Sequence, residues 1–158
     1  MKYLSIILFT LHSAFYFSQK INGFTIISDK NIYKTNSDGF SLTNGDVEEK
    51  LNEENIFSFS FIDSVFIHTP INKEGMISQV YKITDVISNH ETPGLDQYLI
   101  RIESGLSGKY YTYYIEYTSS NILFNQIYDF SDESEDKFSC SGIRFEKLTY
   151  TLIRPFLQ

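Results

Sequence analysis

Residues 96–128, DQYLIRIESGLSGKYYTYYIEYTSSNILFNQIY, decide the fold. In Lys109–Thr118, Tyr111, Tyr113, Ile115 and Tyr117 share one face, and Tyr110, Thr112, Tyr114 and Glu116 share the other. In Asp96–Ser104, Tyr98, Ile100 and Ile102 alternate with Leu99, Arg101 and Glu103. Successive side chains of a strand point to opposite faces, so a period of two over these lengths marks half-buried strands. Turn length then fixes register. A four-residue loop at Gly105-Leu106-Ser107-Gly108 sets Ile102 opposite Tyr111, Ile100 opposite Tyr113 and Tyr98 opposite Ile115. A turn at Ser119-Ser120 sets Tyr117 opposite Ile122, Ile115 opposite Phe124, Tyr113 opposite Gln126 and Tyr111 opposite Tyr128. Both registers gather the apolar set of the middle strand on one face, and a slip of one residue in either would split it.

The same pattern extends outward. Phe57, Phe59 and Phe61 alternate with Ser58 and Ser60, and a turn at Asp63-Ser64 predicts Phe61 opposite Phe66 and Phe59 opposite His68. A strand at Ile77–Ile87 carries Ile77, Gln79, Tyr81 and Ile83 on one face, and Phe24–Ser28 and Asn31–Thr35 are shorter strand candidates. Asn36–Gly39 and Asn44-Gly45 read as turns. Lys137–Ile153 changes phase near Gly142 and again near Lys147, which predicts a bulged strand or two strands. One short helix is expected from Asp46, where Glu49 completes a capping box and Val47 and Leu51 lie a turn apart. Glu48, Glu49, Glu53 and Glu54 would then form its solvated face.

The expected class is all-β: eight or nine strands in an antiparallel up-and-down meander, closed or nearly closed into a barrel. A β-sandwich is the alternative, since an aromatic face this long must be covered by closure or by a second sheet. Residues 22–153 thereby resemble small exported proteins of the lipocalin-like kind, with Asn22-Gly23-Phe24 standing where lipocalins carry Gly-X-Trp; this chain has no Trp. The resemblance implies binding of a small, mostly apolar molecule inside the barrel.

The N-terminal MKYLSIILFTLHSAFYFS, residues 1–18, reads as a signal peptide: Lys2 precedes an apolar run to Phe17 shorter than the roughly 20 residues a spanning helix needs. This leaves residues 19–158 as a single domain, exported to the periplasm or the extracellular space, with no stable membrane anchor. A formal charge of −7 without a basic patch argues against nucleic acid as a partner. The lone Cys140 excludes an intrachain disulfide and reads as a small buried side chain.

Motifs for chemistry are sparse. No nucleophile elbow, His-Glu-X-X-His or cysteine pair occurs. No cofactor, no metal and no catalytic activity is expected. The run Asp129–Asp136 holds five carboxylates but lacks the EF-hand spacing, and reads as a solvated loop. His90 falls in a polar loop; His68 turns inward, where an imidazole needs a partner, for which Gln79 and Gln126 are the candidates.

Two functions remain. The inward rings Phe57, Phe59, Phe61, Tyr98, Tyr111, Tyr113, Tyr117, Phe124 and Tyr128, with His68, Gln79 and Gln126 as polar points, line a pocket for a small apolar or aromatic ligand. Alternatively the same rings fill a solid core. The protein is then an interaction module, such as an envelope inhibitor or accessory subunit, that uses a sheet edge or the outward Tyr110 and Tyr114.

Overall fold

The computed structural model describes residues 21–36, 42–71, 77–131 and 139–154. They form one antiparallel sheet of 11 strands. The first five are β1 (Gly23–Ser28), β2 (Lys30–Asn36), β3 (Asp46–Leu51), β4 (Asn55–Ser60) and β5 (Val65–Pro70). The rest are β6 (Gln79–Asn89), β7 (Leu95–Ser104), β8 (Tyr110–Thr118), β9 (Ile122–Ser131), β10 (Ser139–Glu146) and β11 (Thr149–Ile153). The pairing order is β11-β1-β4-β5-β6-β7-β8-β9-β10-β2-β3, so β4 to β10 form a meander and β11 and β3 stand at the ends of the order.

The β7–β8–β9 meander has the expected registers. Ile102 pairs with Tyr111, Ile100 with Tyr113 and Tyr98 with Ile115. Tyr117 pairs with Ile122, Ile115 with Phe124 and Tyr113 with Gln126. The Tyr111–Tyr128 pair is not formed within this ladder, which runs from Tyr117↔Ile122 to Thr112↔Ile127. Both turns have the expected lengths. Gly108 takes a positive φ of 64° and donates its N–H to the Ser104 carbonyl, and Thr118 N–H bonds the Asn121 carbonyl across Ser119-Ser120.

The β4–β5 hairpin differs by two residues. Phe59 pairs with Phe66 and Phe57 with His68, because the loop runs over Phe61–Ser64 rather than Asp63-Ser64 alone. Ser64 adopts φ 54°, and Ser60 Oγ donates to Asp63 Oδ2 (2.6 Å), which pins the wider turn. Phe61 leaves the ladder and rests against Phe24 (5.4 Å between centroids) and Tyr98 (5.7 Å). A shift of two preserves faces, so His68 still turns inward.

The expected helix at Asp46 is a strand. β3 pairs with β2 from Asn31↔Leu51 to Thr35↔Asp46, and this ladder satisfies backbone groups that a two-turn helix would leave to water. Local propensity is a weak prior against such pairing. A 3-10 turn at Leu42–Asn44 is the one helical element among the described residues. β6 starts at Gln79, and Ile77 before it is exposed, not inward.

Near the C-terminus, both phase changes are present. The register shifts between Ser141 and Gly142, and Lys147 takes φ 52° between β10 and β11. Gly142 permits the bulge, because a Cβ there would stand 2.0 Å from the Gln126 carbonyl oxygen and 2.8 Å from Leu42 Cδ1. Gly142→Ala is therefore expected to cost about 1–3 kcal/mol through overpacking. A urea midpoint unchanged from wild type would show that the bulge does not press on β9.

Three chain segments run past a break and keep their neighbours. β1 and β2 are separated by Asp29 alone; β1 pairs with β4 and β11, and β2 with β3 and β10. The pairing of residues 23–36 with 140–153 stays in one register from Gly23↔Ile153 to Asn36↔Cys140. Lys147 Nζ meets Asp29 Oδ2 at 3.3 Å where both segments break.

One face of the sheet wraps onto itself. Phe57 on β4 touches Phe124 on β9 (4.8 Å) and Phe145 on β10 (4.6 Å), far along the pairing order. Phe24, Phe57, Phe59, Phe66 and Phe124 are wholly buried with Ile26, Ile100, Ile102 and Ile115. On the opposite face, Leu42 and Ile127 are buried together against half-buried Tyr114.

Candidate functional site

The inner face is packed with rings over most of its extent, and it opens where β2, β4, β5, β6, β8, β9 and β10 meet. The space there measures about 360 Å³. Its apolar wall is Tyr33, Tyr81, Tyr111, Tyr113, Ile143 and Phe145. Its polar groups are Asn31, Glu53, Asn55, His68, Gln79 and Gln126.

Strand register brings these residues together. His68 pairs with Phe57 on one side and Gln79 on the other. Gln126 pairs with Tyr113 and Ile143. Asn31 and Asn55 begin the inward alternation of β2 and β4, and Glu53 lies in the link between β3 and β4. Asn31 Nδ2 donates to Glu53 Oε2 (2.8 Å), and Asn55 Nδ2 donates to Asn31 Oδ1 (3.2 Å) and to the Glu53 carbonyl (3.2 Å).

His68 completes this chain of bonds. Its Nε2 lies 2.8 Å from Asn55 Oδ1, an acceptor, so Nε2 carries the proton and Nδ1 the lone pair. The imidazole stacks on Phe57 at 4.7 Å and 10°. Burial pushes its pKa down to about 4, and the Glu53 charge opposes that only partly. His68 is therefore neutral at pH 7. Tyr81 donates its hydroxyl to Gln79 Oε1, and its ring meets Tyr111 edge-on at 6.1 Å. Burial, and then Tyr111, hold the Tyr81 hydroxyl above its usual pKa.

Of the residues expected to contact a ligand, His68, Gln79, Tyr111, Tyr113 and Gln126 meet here, including all three polar ones. Phe57, Phe59, Phe61, Tyr98, Tyr117 and Phe124 belong to the packed part of the face and do not line the space. The side chain of Tyr128 lies outside the described residues, as do that of Cys140 and the acidic run beyond Ser131. His68 finds its partner in Asn55, not in Gln79 or Gln126, because the two-residue shift of the hairpin carries it from Phe59 to Phe57. Glu53 is not on a solvated helix face but bonds inward to Asn31.

The chain matches no family model, no curated protein and no solved structure. Its site is thus read from its own geometry. Among the described residues, no group of three or more His, Cys, Asp or Glu is placed to hold a metal. Of the two outward tyrosines, Tyr114 is not free: its hydroxyl donates to Glu116 Oε2 (2.6 Å) and accepts from Gln97 Nε2 (3.0 Å). Burial, and then the Glu116 carboxylate, push its pKa up to about 12, and the Gln97 bond opposes them. Tyr110 is exposed, with the Arg101 guanidinium 4.5 Å from its ring centroid.

Proposed function

We propose that the protein is an exported binding protein that takes one small aromatic or apolar molecule into the space beside His68, in the manner of a lipocalin-like barrel. The observation that carries this reading is the gathering of the rings of Tyr33, Tyr81, Tyr111 and Tyr113 with the polar groups of His68, Gln79 and Gln126 around a volume of about 360 Å³. Small-molecule sites combine apolar walls with a few convergent polar groups in this way.

Closure of the sheet into a barrel is part of the proposal. Its support lies in the register of 23–36 with 140–153, which runs unbroken past Asp29 and Lys147, and in the pairing of 23–36 with 46–60, which continues across the break with a one-residue shift; each of 23–36, 46–60 and 139–153 then reads as one long bent strand. Taking each of these as one turns the 11-member order into a ring of eight strands. Barrels of about that size have an interior that side chains nearly fill or that holds one small ligand. Packed rings at one end and a pocket at the other combine the two cases.

A panel of small aromatics that includes 2-phenylethanol, followed by thermal unfolding and tyrosine emission, tests the reading. At a hundredfold excess over Kd, a ligand bound only by the native state adds about 2.7 kcal/mol. Tyr111→Ala is expected to abolish the shift, and Tyr110→Ala, on the outer face, to leave it intact. No shift across the panel, or a shift unaffected by Tyr111→Ala, would overturn the proposal.

A further inference from the structure

The hydrogen-bond state of His68 narrows the class of ligand, and this step rests on the binding reading above. Asn55 Nδ2 donates to two acceptors, Asn31 Oδ1 (3.2 Å) and the Glu53 carbonyl (3.2 Å), so the amide is fixed with its Oδ1 towards the imidazole. That oxygen, 2.8 Å from His68 Nε2, takes the one proton of the neutral ring. Nδ1 is left as an acceptor with no proton to give. No described group donates to it, and it is not one of the side-chain atoms sealed inside the protein without a partner. It therefore meets the open space that His68 lines.

The other polar groups of the wall set weaker demands. Gln126 offers both an amide oxygen and N–H groups, so it suits a donor and an acceptor alike. Gln79 Oε1 already takes the Tyr81 hydroxyl, and the Glu53 carboxylate already takes the Asn31 amide. Nδ1 is satisfied only by a group that donates. A ligand without a donor would displace water from this atom and leave it unpaired, which costs more than the bond would have contributed. Proton uptake by the ring does not relieve the cost, because the imidazole lies against Phe57 (4.7 Å) and burial disfavours its charged form.

We propose that His68 selects the ligand by its donor: the pocket takes a small aromatic molecule whose O–H or N–H bonds to Nδ1, with its ring against the tyrosines.

2-Phenylethanol and its methyl ether share a ring and an oxygen and differ in the donor, and calorimetry compares them. The alcohol is expected to bind about tenfold more tightly, the effect of one acceptor otherwise left unpaired. Long-range proton–nitrogen correlation spectra of the histidine rings give a second readout. The His68 signals, assigned by their loss in His68→Gln, should show the proton on Nε2. The Nδ1 resonance should move upfield when the alcohol is added and stay in place with the ether. His68→Phe keeps a ring against Phe57 without a lone pair, and is expected to bring alcohol and ether within about twofold of each other. Should that variant not fold, the nitrogen shift in the unsubstituted protein decides. Equal binding of alcohol and ether, or an Nδ1 resonance that the alcohol leaves unmoved, overturns this inference and leaves the pocket reading standing. Binding of no member of a panel of aromatic alcohols, phenols and ethers overturns both.

Discussion

Replacing Phe57 by Ala is expected to cost about 3–5 kcal/mol of folding stability, the range for emptying a large buried aromatic site. Phe57 is wholly buried, and its ring touches Phe124 (4.8 Å), Phe145 (4.6 Å) and His68 (4.7 Å). These neighbours come from three other strands, so no single local shift can close the gap. The same ring backs the imidazole of the pocket, and the variant is therefore also expected to lose ligand-induced stabilisation. Phe61→Ala removes a half-buried ring at a turn and should cost clearly less. Leu106→Ala, at 99% exposure in the β7–β8 loop, should change nothing measurable. Urea unfolding of the three variants gives the ranking. A Phe57→Ala cost below about 1 kcal/mol would mean that β4 does not pack against β9 and β10.

The second large effect is a pH dependence. Burial lowers the His68 pKa from 6.5 to about 4 in the folded chain. Between those values the unfolded chain takes up a proton that the folded chain refuses, so stability rises with pH across that window. The contribution is fully present above pH 6.5, falls as pH drops towards 4, and changes no further below that. Its full size is about 3 kcal/mol, at 1.36 kcal/mol per pH unit of displacement. His68→Gln retains an N–H for Asn55 Oδ1 and does not titrate. Stability of the variant should therefore fall less steeply than that of wild type from pH 7 to pH 4. Chemical denaturation at several pH values measures both curves. Parallel curves would show that the imidazole is not held neutral by its burial.

The sequence revealed most about the segments where short turns and a strict period of two act together. In 96–128 the loop lengths of Gly105–Gly108 and Ser119-Ser120 leave one register that keeps Tyr113 and Ile115 on the apolar side, and that register is formed. In 56–70 the period was equally clear, but the turn was not, because Phe61 leaves the ladder to pack on Phe24 and Tyr98. Asp46–Leu51 misled for the opposite reason. Its charges and cap residue favour a helix locally, while the deciding partner, β2, lies beyond a separate turn.

The site divides in the same way. His68, Gln79 and Gln126 stood out as polar residues on an apolar face, whatever their neighbours. Asn31, Glu53 and Asn55 carried no such signal, because their meeting depends on β1 pairing with β4 and β2 with β3. Tyr81 was visible on the Gln79 face, and Phe145 only after the bulge at Gly142 had reset the alternation. An inward ring of the aromatic set reads alike whether it fills the core, as Phe59 does, or walls the open space, as Tyr113 does on one side. That distinction lies in the curvature of the sheet and not in any periodicity.

The pairing of β1 with β11 bears on how the chain is made. A ribosome delivers β1 well before β11, so this seam cannot form until β11 has been made. Until then one border of β1 stays unzipped and open to wrong partners, a known hazard for strands waiting in line. Contacts of such long sequence separation also slow acquisition of the native state. If the chain is exported as proposed, such a delay keeps it unfolded, and so translocation-ready, until β11 has emerged.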